Sequence, residues 1–110
     1  MKEVKAIVKP FKLNDILNHL LDAGFLKITI TFAEVTGSFK SDESTMSSQF
    51  SLTDSKVAII VMVCKDSEVE NIVSIISSEG RTGNPGDGII YVSEVTKVYD
   101  VTTGLENGKN

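Results

Sequence analysis

The residues best suited to chemistry crowd into one stretch, "RTGNPGDGIIYVSEV", running from Arg81 to Val95. Within it, Gly83, Gly86 and Gly88 alternate with Asn84, Pro85 and Asp87. Glycine lets successive backbone N–H groups converge on one anion, because no Cβ stands in the way. Such a loop is either a tight turn between a helix and a strand or a cradle for a phosphate. No Walker-type lysine follows, and the glycine spacing fits no dinucleotide fingerprint. The residues alone leave both readings open.

Little else in the chain could carry out a reaction. The single histidine, His19, lies beside a leucine stripe and reads as a surface or boundary residue. The single cysteine, Cys64, reads as a small buried hydrophobe. One histidine and one cysteine do not make a zinc site. No nucleophile, base and orienting acid come together, so an enzyme is not expected. Lys56 opens an apolar run, either as a ligand-facing cation or as a solvated strand-start charge. Ser44, Ser47, Ser48 and Ser51 read as residues of a flexible loop rather than as phosphate acceptors.

Bulk properties narrow the class. At 110 residues the chain is a single domain with room for one core. Its formal net charge is -4, which argues against nucleic acid or an anionic membrane as the main partner. The longest apolar run, Val57 to Cys64, is far short of the roughly 20 residues a membrane helix requires, so no direct membrane insertion is expected. Lys2, Glu3 and Lys5 interrupt the opening where a signal peptide would build its apolar stretch. The cytoplasm is therefore the expected compartment, and one unpaired cysteine agrees with it.

The elements that must position the glycine-rich loop follow from periodicity. "KEVKAIV" (2–8) alternates, with Val4, Ala6 and Val8 on one face, as in a half-buried strand. Leu13, Ile16, Leu17, Leu20 and Leu21 form a helical stripe over residues 13–23, and Gly24 fits its C-cap. "KITITFAEV" (27–35) alternates again. "KVAIIVMVC" (56–64) is apolar throughout and reads as a strand buried on both faces. Ser67 and Glu70 have capping-box spacing ahead of a second helical stripe, Val69, Ile72, Val73 and Ile76, that runs to Gly80. "IIYVSEV" (89–95) supplies the last strand, and the tail from Thr96 is polar.

The order is β-α-β-β-α-β. That predicts an α+β, ferredoxin-like βαββαβ fold, with an antiparallel sheet and two helices on one face. The other sheet face would be bare, and packing it between subunits is the natural way to bury it. A trimer and a dimer serve this argument equally. Residues 37–55 have no period and are rich in serine and acidic residues. A loop that long in a compact domain is usually functional.

Two segments carry a resemblance. "VKAIVKPFKLNDILNHLLDAGF" is similar to the opening of the PII nitrogen-regulatory signalling proteins. "RTGNPGDGIIYVSEV" resembles that family's Thr-Gly-x-x-Gly-Asp-Gly loop and the strand after it, and "TTGLENG" resembles the family's C-terminal turn. The resemblance covers nearly the whole chain apart from residues 37–55. It implies one PII-like domain over 1–110, with a T-loop at 37–55, a B-loop at 81–88 and a C-loop at 100–105. It also implies a homotrimer that binds an adenine nucleotide (ADP, ATP or AMP) between subunits. The T-loop would then dock on a partner protein, either a membrane transporter or a metabolic enzyme. By position, Gly86, Asp87 and Gly88 would hold phosphate and Lys56 would point at it. Ile7, Thr29, Gly37 and Met62 would line the adenine side, and Thr103 would approach the nucleotide of a neighbouring subunit. No metal site is implied.

The sequence departs from this pattern where phosphate is gripped. Ile89 stands where the resemblance implies a lysine, and Asp100 and Thr102 where it implies arginines. A charge-assisted phosphate contact contributes about 1.5–3 kcal/mol, so weakened triphosphate binding is expected. Ser41 lies nearest the position of a glutamine that helps hold Mg and 2-oxoglutarate, so 2-oxoglutarate sensing is not expected. The alternative is a nucleotide-independent trimeric interaction module that senses another small ligand or an anion. A metal-handling trimer of the CutA type shares the architecture, but so few histidines and cysteines speak against it.

Overall fold

The computed structural model describes residues 1–36 and 56–107. Its elements are β1 (Lys2–Val8), α1 (Leu13–Asp22), β2 (Thr29–Glu34), β3 (Lys56–Cys64), α2 (Val69–Gly80) and β4 (Gly88–Glu94). All strand pairs are antiparallel and the sheet order is β2-β3-β1-β4. The expected ferredoxin-like arrangement is the one found.

Alternation along the strands decides which side is covered. Val4, Ala6 and Val8 of β1 and Ala58, Ile60, Met62 and Cys64 of β3 join Ile16 and Leu20 of α1 and Ile72 and Ile76 of α2 in one core. Each fully buried side chain of this size contributes about 1.5–3 kcal/mol relative to an exposed one. On the opposite face β3 is only partly covered. Val57 is buried and Ile59 and Val61 are half-buried, while Val63 is exposed. Ile89 and Tyr91 on the same side of β4 are exposed as well. This face is apolar through its middle and, among the described residues, carries no helix.

The connections obey local chemistry. Pro10 ends β1 and opens a 3-10 turn, Pro10–Lys12, that leads into α1. The helix closes in a Schellman motif: Gly24 takes φ 94, its N–H reaches Leu21 O at 3.0 Å, and Phe25 N–H reaches Leu20 O at 2.9 Å. The start of α2 differs from the capping box expected at Ser67 and Glu70. A 3-10 turn, Asp66–Glu68, precedes the helix, and the Glu68 carboxylate accepts the Lys65 backbone N–H at 2.9 Å. The reach-back is made two residues earlier because the 3-10 turn moves the first free N–H groups upstream. Cys64 is buried, and burial pushes its thiol pKa up, which suits an inert core residue.

Candidate functional site

The glycine-rich loop is organised around one carboxylate. Asp87 accepts the Thr82 N–H at 2.7 Å and the Gly83 N–H at 3.2 Å on one oxygen. Its other oxygen takes the Thr82 hydroxyl at 2.5 Å and faces Lys9 Nζ at 3.1 Å. Partial burial opposes ionisation of this carboxyl. The Thr82 hydroxyl, the two amides and the Lys9 ammonium outweigh it and hold the pKa down at about 2. Within the loop, Asn84 to Asp87 forms a turn with Pro85 second and Gly86 third at φ 85, the pattern of a type II turn.

The loop then passes directly into β4. Gly88 pairs with Val8 and takes φ 135. A Cβ at Gly88 would lie 2.0 Å from the Ile7 carbonyl oxygen, so this contact admits only glycine. Arg81, just past the end of α2, turns back on the helix. Its Nε–H donates to Ser77 O at 3.1 Å and its Nη2–H to Ser77 Oγ at 2.8 Å. Beside it lies a pocket of about 210 Å³ lined by Ser77, Gly80, Arg81, Asp87, Gly88 and Ile89, among others.

The residues singled out from the sequence fall into separate groups. Ile7, Lys56 and Gly86 to Gly88 lie at one end of the sheet, where β1 finishes and β3 and β4 begin. Lys56 is exposed and faces Glu34 at 3.7 Å. Thr29 starts β2, the opposite edge strand, paired with Val61. Met62 is 4% exposed and points into the core, so it does not share a sheet face with Ile7 and Thr29. It helps line a second hollow of about 250 Å³ with Gly24, Leu26, Lys27 and Glu68. Gly37 and the 37–55 loop lie outside the described residues.

Thr103 belongs to a turn in the C-terminal tail. Tyr99 pairs with Glu106, and the Gly104 N–H reaches Asp100 O at 2.8 Å. The Asp100 carboxylate accepts the Thr102 N–H at 2.7 Å and the Thr103 N–H at 3.1 Å. Asp100 is therefore the cap of its own turn, which gives a local reason for an acidic residue at this position.

Three participants escaped the sequence reading: Lys9 and Thr82 as partners of Asp87, and Glu34 as partner of Lys56. Lys9 follows Val8, and Val8 pairs with Gly88, so strand register alone brings Lys9 to the loop. Glu34 pairs with Lys56 in the same way. Among the described residues no group of three or more His, Cys, Asp or Glu side chains is placed to hold a metal ion. Among them, too, no helix is long and apolar enough to cross a membrane.

Comparison with known proteins places this architecture. The family model for nitrogen regulatory protein P-II matches residues 1–105. The chain is 32% identical over 108 residues to a nitrogen regulatory protein P-II of Microchaete diplosiphon, covering 97% of this chain and 96% of the relative. It is 37% identical over 106 residues to one of Mesorhizobium japonicum, covering 94% of each. It is 35% identical over 107 residues to a nitrogen fixation nifHD region GlnB-like protein of Methanothermococcus thermolithotrophicus, covering 94% of this chain and 96% of the relative. The chain belongs to the nitrogen regulatory protein P-II family of signal-transduction proteins, whose members are regulators rather than catalysts.

Proposed function

We propose that this protein works as a homotrimer that carries an adenine nucleotide between subunits and controls a partner protein through residues 37–55. The partner is a transporter or a metabolic enzyme. The observation that carries the reading is the separation of the candidate residues across the sheet. Gly86, Asp87 and Gly88 sit at the β4 edge, whereas Thr29 sits on β2 at the other edge. Three strand spacings, about 14 Å, lie between those edges. One chain does not close a small-molecule cleft from both. A ring in which the β4 edge of one copy meets the β2 edge of the next does, and it uses a heterologous contact that closes on itself. The sheet face opposite the two helices, with Ile89, Tyr91 and Val63 exposed, supplies apolar surface for such a contact. A ligand would then bias the attached 37–55 loop by binding one of its arrangements better than the others.

Light scattering on the purified protein tests the assembly. A mass near three times 11.9 kDa is expected, and a lone subunit would end the proposal. Isothermal titration with ATP, ADP and AMP tests the ligand, and flat traces at millimolar concentration would remove the nucleotide from it.

A second reading keeps the trimer and dispenses with the nucleotide. It is favoured by the Asp87 carboxylate, which already occupies the Thr82 and Gly83 amides. Heat in the titrations discriminates between the two.

A further inference from the structure

Resting on the proposed nucleotide cleft, we infer that the site selects a nucleoside monophosphate over the di- and triphosphate, with Arg81 as the residue that holds the single phosphate. Among the described residues three cations stand at the loop end of the sheet, and two of them are paired with carboxylates. Lys9 faces the Asp87 carboxylate at 3.1 Å, and Lys56 faces Glu34 at 3.7 Å. Ile89 brings an apolar side chain to the start of β4. Asp100 adds a negative charge in the tail and directs it at its own turn. Of the three, Arg81 alone has only neutral partners among the described residues, Ser77 O and Ser77 Oγ.

Those two bonds orient the guanidinium and leave three of its five N–H donors without a partner among the described residues. It lines the pocket of about 210 Å³ together with Asp87 and Gly88, against an apolar wall of Val8, Ile76, Ile89 and Ile90. That volume is below the roughly 300 Å³ typical of a site for a whole drug-sized ligand, so it suits one end of a nucleotide. A single phosphate there meets one preset cation. Each further phosphate adds negative charge beside the Asp87 carboxylate with no unpaired cation of the three to receive it, and affinity then falls.

The experiment is isothermal titration of the full-length protein with adenosine, AMP, ADP and Mg-ATP. AMP is expected to bind tightest, with ATP weaker by about tenfold or more, a factor that corresponds to about 1.4 kcal/mol. Arg81→Gln should cut the ratio of AMP to adenosine affinity by about tenfold, and Arg81→Lys should restore part of it. The unmodified protein gives an independent readout, because raising salt should weaken AMP and leave adenosine nearly unmoved. ATP binding as tightly as AMP would overturn the inference and leave the nucleotide cleft standing. So would an AMP preference indifferent to Arg81 and to salt. Failure of all four ligands to bind would overturn the cleft itself and this inference with it.

Discussion

Asp87 holds Thr82 at two points, the backbone N–H at 2.7 Å and the hydroxyl at 2.5 Å, across the whole glycine-rich loop. One carboxylate thereby fixes both ends of a segment that has few side chains of its own. The Lys9 ammonium completes the arrangement from the end of β1. The loop's shape is thus an electrostatic consequence of Asp87 being ionised.

Acid should therefore loosen the loop. The Asp87 pKa falls from the ordinary 3.8 to about 2. A carboxyl with a depressed folded-state pKa stabilises the fold fully above its ordinary value, and that contribution is lost as pH falls through the folded-state pKa. The window for this group is therefore about pH 4 down to pH 2. Because the group is partly solvated, the contribution is about 1–2 kcal/mol after screening. Asp87→Asn should lower stability by that amount at pH 7 and flatten the stability profile between pH 4 and pH 2. Urea unfolding at a series of pH values measures both, and an unchanged profile would show that Asp87 does not set the loop.

Gly88 and Gly83 should respond very differently to the same change. At Gly88 an added Cβ meets the Ile7 carbonyl oxygen at 2.0 Å, and φ is 135. Backbone cannot yield as a side chain does, so Gly88→Ala should cost about 3 kcal/mol or more. At Gly83, φ is 87 and nothing among the described residues lies within 4 Å of the added atom. Gly83→Ala should cost only the left-handed conformation, about 1–2 kcal/mol. Denaturant midpoints for the two variants should differ in that order. Equal losses would mean that the β1–β4 contact is looser than this register requires.

His19 joins the two helices. Its Nδ1 lies 2.9 Å from Asp15 O and its Nε2 lies 3.5 Å from Glu79 Oε2. The Asp15 carbonyl raises the imidazole pKa above 6.5 against the cost of desolvation, and the carboxylates of Glu79, Asp22 and Asp15 add smaller contributions in the same direction. A raised pKa stabilises the fold below the ordinary value, and that contribution is lost as pH rises through the raised one. Glu79→Gln should bring the His19 titration, followed by proton NMR, back toward 6.5. A titration that does not move would mean that the helix-to-helix pair is absent in solution.

The fold was legible because its signals are periodic. Val4, Ala6 and Val8 alternate, Ile16 and Leu20 repeat at helical spacing, and each set reached the core. Gly24 was legible as a stop because a Schellman turn requires a residue at positive φ. The site was less legible because its bonds are not periodic. Lys9 meets Asp87 only once Val8 is paired with Gly88, and Glu34 meets Lys56 only through the β2–β3 register. Met62 shows the same limit. An unbroken apolar run such as 56–64 does not say which face each residue takes, and the structure turns Met62 inward. The capping carboxylate came from Glu68 rather than Glu70, because a 3-10 turn ahead of the helix shifts the free amides.

The tail turn gives the last prediction, and it separates two views of Asp100. If that residue is merely a lost cation, Asp100→Arg should restore phosphate affinity at no cost to the chain. The geometry says otherwise. The Asp100 carboxylate accepts the Thr102 and Thr103 amides at 2.7 and 3.1 Å, and Thr103 Oγ1 in turn accepts the Leu105 N–H at 3.1 Å. An arginine has no acceptor to offer those amides. Losing such a cap typically costs about 1 kcal/mol, felt here in an exposed segment. Hydrogen exchange at Thr102 and Thr103 should therefore quicken by about fivefold in Asp100→Arg and Asp100→Ala alike, the factor that 1 kcal/mol sets. Asp100→Asn keeps an acceptor oxygen and should exchange nearly as slowly as the parent. Were all three variants to exchange at the parent rate, the turn would owe nothing to this carboxylate, and the acidic residue would have to be explained by the ligand instead.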